Sequence, residues 1–219
     1  MNTQDLLGRI EPLLSRVNKP IQYVGGEHNS IVKEWQDVDV RWVLMYPDAY
    51  EVGQPNQGVA ILYEVLNERD WILAERTYSV WPDMEKQMRA AGIPQFTLDG
   101  HRPVRDFDIM SVSLSTELGY TNMLNAIDLA GIPVRQADRT DTDPIVLIGG
   151  HAAFNPEPVA DFIDAAVLGD GEEACLEISE IIRDWKKEGC PGGREDLLVR
   201  LATTGGIYVP SFYDVEYLD

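Results

Sequence analysis

Three short stretches hold the residue types that could meet a ligand. The first is Asp48-Ala49-Tyr50-Glu51-Val52-Gly53, where carboxylates, a phenol and a glycine share one loop. A glycine there lets the backbone approach a large planar ligand, because no Cβ stands in the way. The second holds two hydroxyls, Ser113 and Ser115. The third is Gly149-Gly150, where the lack of side chains leaves room for a ligand's tail to pass. Each alone reads as a simple turn. Their joint placement, on successive strand ends, is what points to binding.

Covalent and metal chemistry find less support. His28, His101 and His151 are scattered without ligand spacing, so no built-in metal site is expected. His151 follows the double glycine and could line a cleft, although polar filling is its simpler role. No serine sits in a GxSxG elbow. No GxGxxG follows the first apolar run, and Gly169-Asp170-Gly171 comes too late for a dinucleotide fingerprint. A phosphoacceptor receiver would need an aspartate after the third strand, where Ser113 to Ser115 stand. Glu117, Asp48 and Glu51 could converge as carboxylates, but acid patches are usually solvated. No catalytic residue emerges.

The elements that must position these loops alternate along the chain. Apolar runs at Val40–Tyr46, Trp71–Tyr78, Phe107–Leu114, Ile145–Ile148 and Ile163–Leu168 read as strands. Between them lie amphipathic helices: one capped by Asn56, one opened by Pro82, and one carrying Tyr120, Met123, Leu124 and Ile127. The last long helix turns Ala174, Ile178, Ile181, Ile182 and Trp185 inward, with Glu172 and Glu173 at its start and Lys186 and Lys187 at its end. That charge order suits the helix dipole. Continuous apolar strands alternating with helices predict a parallel sheet covered on both faces. The expectation is a doubly wound, flavodoxin-like, three-layer α/β/α fold with five strands in the order 2-1-3-4-5. Ligands then bind outside the carboxyl ends of the strands. Loops 47–58, 113–119, 149–158 and 169–173 fall there, and the main cleft is expected among the first three. The α/β domain is placed at residues 38–190, after an extension over 1–37. Beyond it, a Gly/Pro-rich stretch opens a linker over 191–219.

Composition narrows the class further. The chain has 219 residues, 44% hydrophobic and 25% charged, and no apolar run long enough to span a bilayer. Its first residues do not read as a secretory signal. Two cysteines, Cys175 and Cys190, form no disulfide framework, so a reducing cytoplasm is the expected compartment. Cys175 reads as a small core residue on the last helix. Eighteen basic against 37 acidic residues give a net charge of −19. Such a surface repels phosphate backbones and argues against direct nucleic-acid binding.

The three loops resemble the cobalamin-binding signature DxHxxG, SxL and GG. More specifically, the chain resembles the N-terminal region of a family of fused radical-SAM proteins with a cobalamin-binding-like front domain. The likeness runs through Tyr23-Val24-Gly25-Gly26-Glu27, Tyr46 to Gly53, Glu117-Leu118-Gly119-Tyr120-Thr121-Asn122, Gly149-Gly150-His151, Asn155-Pro156-Glu157-Pro158 and Gly169-Asp170-Gly171-Glu172-Glu173. It implies Asp48, Tyr50, Gly53, Ser113, Ser115, Gly149 and Gly150 as cofactor-binding positions, and cobalamin as the cofactor. Two departures stand out. The histidine that would ligate cobalt is Tyr50, and a phenol with pKa near 10 is a poor metal ligand. Ser115 takes the place of the leucine in SxL. The resemblance also implies a 4Fe–4S cluster on CxxxCxxC and S-adenosylmethionine, both in a catalytic barrel beyond residue 219. That barrel is the expected partner. On this reading the chain is a non-catalytic module that positions cofactor or substrate; the alternative is a cofactor-free structural or substrate-docking module of the same enzyme.

Overall fold

A computed structural model describes residues 3–214 and 216 of the chain. Six strands form one sheet: β1 (Val40–Tyr46), β2 (Ile72–Tyr78), β3 (Ile109–Ser113), β4 (Ile145–Gly149), β5 (Ala165–Val167) and β6 (Ile207–Tyr208). Their order is β2-β1-β3-β4-β5-β6. The first five are parallel, in the 2-1-3-4-5 order, with Ser111 opposite Leu147 and Ser113 opposite Gly149. The sixth is an addition to the expected five. It runs antiparallel to β5, with Tyr208 opposite Ala166.

The helices are α1 (Thr3–Leu14), α2 (Tyr50–Gly53), α3 (Gln57–Asn67), α4 (Pro82–Ala91), α5 (Tyr120–Leu129), α6 (Gly171–Lys187) and α7 (Gly193–Ala202). Asn56 caps α3 by accepting from the Val59 N–H at 3.0 Å. Strand alternation divides the core in two. Trp42, Leu44, Ile109 and Leu147 face α3, α6 and α7, while Val43, Met45, Met110, Val112 and Ile148 face α5. The Trp42 indole donates to Ser179 Oγ of α6 at 2.9 Å, which fixes that helix over the centre of the sheet.

Both flanks belong to the domain. Leu6 and Ile10 of α1 are fully buried and pack with Met84 and Met88 of α4. Leu6, Ile10, Leu13 and Tyr23 of the expected extension therefore belong to the core. At the other end, Leu197, Leu198 and Leu201 of α7 join the α3/α6 core. Within the expected linker, a helix (Gly193–Ala202) and an edge strand (Ile207–Tyr208) form instead, and residues 215 and 217–219 of that expectation lie outside the described residues. Arg194 fastens the helix: the Asp164 carboxylate accepts from Arg194 and Arg139 at 2.7 Å each, and Asp164 and Arg139 have fully buried side chains. The β2 edge is closed by the loop carrying Asp99, which accepts from the Arg76 backbone N–H at 2.7 Å and pairs with its guanidinium. Covering an edge in this way removes a template for unwanted strand pairing.

Candidate functional site

On the α3/α6 face, the two helices leave a crevice of about 430 Å³ at the carboxyl ends of the strands. Its floor is apolar, with Trp42, Leu44, Leu147, Val167 and Ile178. Its upper wall is built from strand ends: Ser111, Ser113 and Ser115 after and along β3, then Gly149, Gly150, His151 and Phe154 after β4. Gly169, Asp170 and Gly171 bring the start of α6 to the same space. The size fits a small organic ligand.

The two glycines after β4 do different work. Gly150 has φ +92°, and a Cβ there would sit 2.7 Å from the Leu114 carbonyl oxygen. Only glycine suits that backbone and that approach. Gly149 has nothing within 4 Å of where a Cβ would stand, so it opens the crevice. Ser115 is held at the rim, 3.3 Å from the Tyr46 hydroxyl.

The loop after β1 points elsewhere. The Tyr50 hydroxyl donates to Glu27 Oε1 at 2.5 Å, and its ring meets Tyr78 edge-on, with centroids 5.7 Å apart. Burial and then the Glu27 carboxylate push the phenol up to about 12. A Cβ on Gly53 would collide with the Tyr78 ring, so tyrosine packing accounts for that glycine. Asp48 accepts from the Ala49 N–H at 2.7 Å and lines a separate hollow with Ser79, Glu85 and Asn122. Of the seven predicted positions, Ser113, Ser115, Gly149 and Gly150 come together, and Asp48, Tyr50 and Gly53 lie outside their crevice. Residues 48–53 do not fit ligation of a cobalt ion, because the candidate side chain is protonated, hydrogen-bonded and turned away.

Sequence reasoning missed Ser111, although a period of two along β3 puts it on the same face as Ser113. The reading of Cys175 as a small core residue holds, since Cys175 is buried in the α3/α6 core. Cys175 also lines the crevice, but burial pushes its thiol up to about 12, so it is no nucleophile.

A larger cavity, about 960 Å³, opens at the amino ends of β3 and β4, contrary to the expected main cleft. The residues 34–36 and α7 stand beyond the sheet there and wall off the space. Several charges that line it are paired: Arg105 with Asp143, Arg102 with Glu75, and Asp108 with Lys186. Among the described residues, no group of three or more His, Cys, Asp or Glu could hold a metal, and no helix is long and apolar enough to cross a membrane.

The domain is a doubly wound α/β fold with a crevice at the carboxyl strand ends, where sheets of this kind receive ligands. Residues 58–210 match the family of radical SAM proteins, N-terminal region. The chain belongs to that family. No curated protein and no solved structure matches it.

Proposed function

We propose that the domain is a non-catalytic front module of a radical-SAM protein, and that its carboxyl-end crevice positions a cofactor or substrate toward a catalytic barrel of the same protein. The gathering of Ser113, Ser115, Gly149 and Gly150 around one ligand-sized crevice carries this reading. Family membership supplies the catalytic partner. A cluster of the radical-SAM kind needs three cysteines, and this chain has two, one buried and one exposed. Its own contribution is then binding.

The rim supports a partner on this side. Leu118 is 88% exposed and Phe154 is 67% exposed, on the loops after β3 and β4; Val52 and Leu168, after β1 and β5, are also exposed. Apolar side chains gathered at one end of a fold suit a protein contact. Cobalamin, implied by the resemblance, would have no cobalt ligand from Tyr50. The engagement of Tyr50 with Glu27 favours the alternative, a cofactor-free docking module. Cobalamin that stays with the purified domain through desalting would overturn that alternative.

Hydrogen exchange of the chain alone and within the complete protein tests the orientation. Protection is expected at residues 114–119, 150–154 and 168–173. Protection confined to residues 34–36 and 141–145 would put the partner at the amino ends and defeat the proposal.

A further inference from the structure

Two sets of hydrogen-bond donors face the crevice: the first turn of α6 and the hydroxyls along and after β3. The first-turn N–H groups of an α-helix lack partners inside the helix. Asp170 stands at the cap position of α6 but makes no side-chain cap hydrogen bond, so the start of this 17-residue helix is left open toward the crevice. Ser111 supplies a second, independent sign. It is only 7% exposed, lines the same crevice, and its hydroxyl has no partner among the described residues. Its hydroxyl opens on the crevice, within reach of what occupies it. Gly149 leaves the approach to both groups clear.

Donors at a helix start often hold phosphate. Here the surrounding charge argues otherwise. Asp170 and Glu172 line the crevice, and no lysine or arginine does. The helix end presents about half a positive charge, against two full negative charges. A dianion is repelled on balance, while a cation would face the open N–H groups. An uncharged oxygen acceptor avoids both conflicts. Much of the remaining lining is apolar, through Trp42, Leu62, Leu147 and Ile178.

We infer that the carboxyl-end crevice takes an uncharged organic ligand, whose carbonyl or amide oxygen accepts from the first turn of α6 and from Ser111, with its apolar body between α3 and α6. This rests on the proposed binding role of the crevice and names the chemistry it selects.

Three probes of one shape and different charge test it: benzamide, benzoate and benzamidine. Each is titrated into the nitrogen-15-labelled chain, with the backbone amides observed by NMR. Benzamide is expected to shift Gly171, Glu172 and Glu173 saturably and to bind more tightly than either charged probe. Ser111→Ala should weaken it about 2- to 12-fold, the worth of one ordinary hydrogen bond. Ser111→Cys, closer in volume, gives the same readout should the alanine variant be unstable. Benzoate or benzamidine binding equally well at these amides would overturn the charge selection and leave the crevice as a binding site. No shift at these amides from any probe would overturn the inference and the binding role together. An unchanged benzamide affinity in both Ser111 variants would overturn the assignment of the hydroxyl.

Discussion

At position 50 a phenol stands where the resemblance expects an imidazole, and Glu27 keeps it protonated. The sign of the linkage follows from that. An unfolded tyrosine ionises near pH 10, and folded Tyr50 near 12. The proton therefore stabilises the fold fully below pH 10, and this contribution fades as pH rises from about 10 to 12. Burial, and then Asp99, also push Tyr63 up to about 12, which adds to the same slope. Urea midpoints should fall between pH 9 and pH 11, and Tyr50→Phe should flatten the fall without abolishing it. An equally steep fall in the variant would mean that Tyr50 titrates as it does in the unfolded chain. Gly53→Ala forces a methyl into the Tyr78 ring and should cost about 1–3 kcal/mol, as overpacking does. The glycine itself was legible in the sequence, but its partner was not. Tyr78 lies on the neighbouring strand, and nothing in the local pattern around Gly53 reveals a ring 25 residues away in the chain.

Among the elements, β1, β3, β4 and β5 were legible because each is a mostly apolar run buried on two faces, while β2 carries Glu75, Arg76 and Thr77 in its buried stretch. The two-residue β6 carries no such signal, and it exists because it pairs with β5. Likewise, the spacing of Leu197, Leu198 and Leu201 allows a helix, but only the buried Arg194–Asp164–Arg139 cluster shows where α7 docks. The magnitudes separate this cluster from the surface pairs. Removing one partner of a buried ion pair costs about 3–5 kcal/mol, since the charge left behind cannot return to water. Asp164→Asn should lower stability by about that amount in urea unfolding. The Arg135–Asp161 pair has both side chains more than half exposed, and Asp161→Asn should cost at most about 1 kcal/mol. Similar losses in the two variants would show that the buried cluster is not what fastens α7.

For the whole molecule, the rule that doubly wound sheets bind at their carboxyl ends located the crevice but not the larger cavity. Cavity size depends on what stands beyond the sheet, and here that is the pair of flanks that sequence reading set apart as extension and linker. The same flanks decide what will fold. Leu6, Ile10 and Leu13 of α1 are buried against the α4 side of the domain. Burying three such side chains contributes roughly 5–9 kcal/mol, of the same order as the about 5–15 kcal/mol that holds a whole domain together. Cutting at residue 190 also strips α7 from the α3/α6 core and leaves Asp164 without Arg194. A fragment of residues 38–190 is therefore expected to lose cooperative unfolding, while the chain over residues 3–214 keeps it. Circular dichroism against urea and the dispersion of amide resonances read this directly. A 38–190 fragment that unfolds cooperatively, within about 2 kcal/mol of the longer chain, would show that the core closes on itself without its flanks. The amino-end cavity would then be a gap beside appendages. The expected result makes it a seam between parts that fold as one.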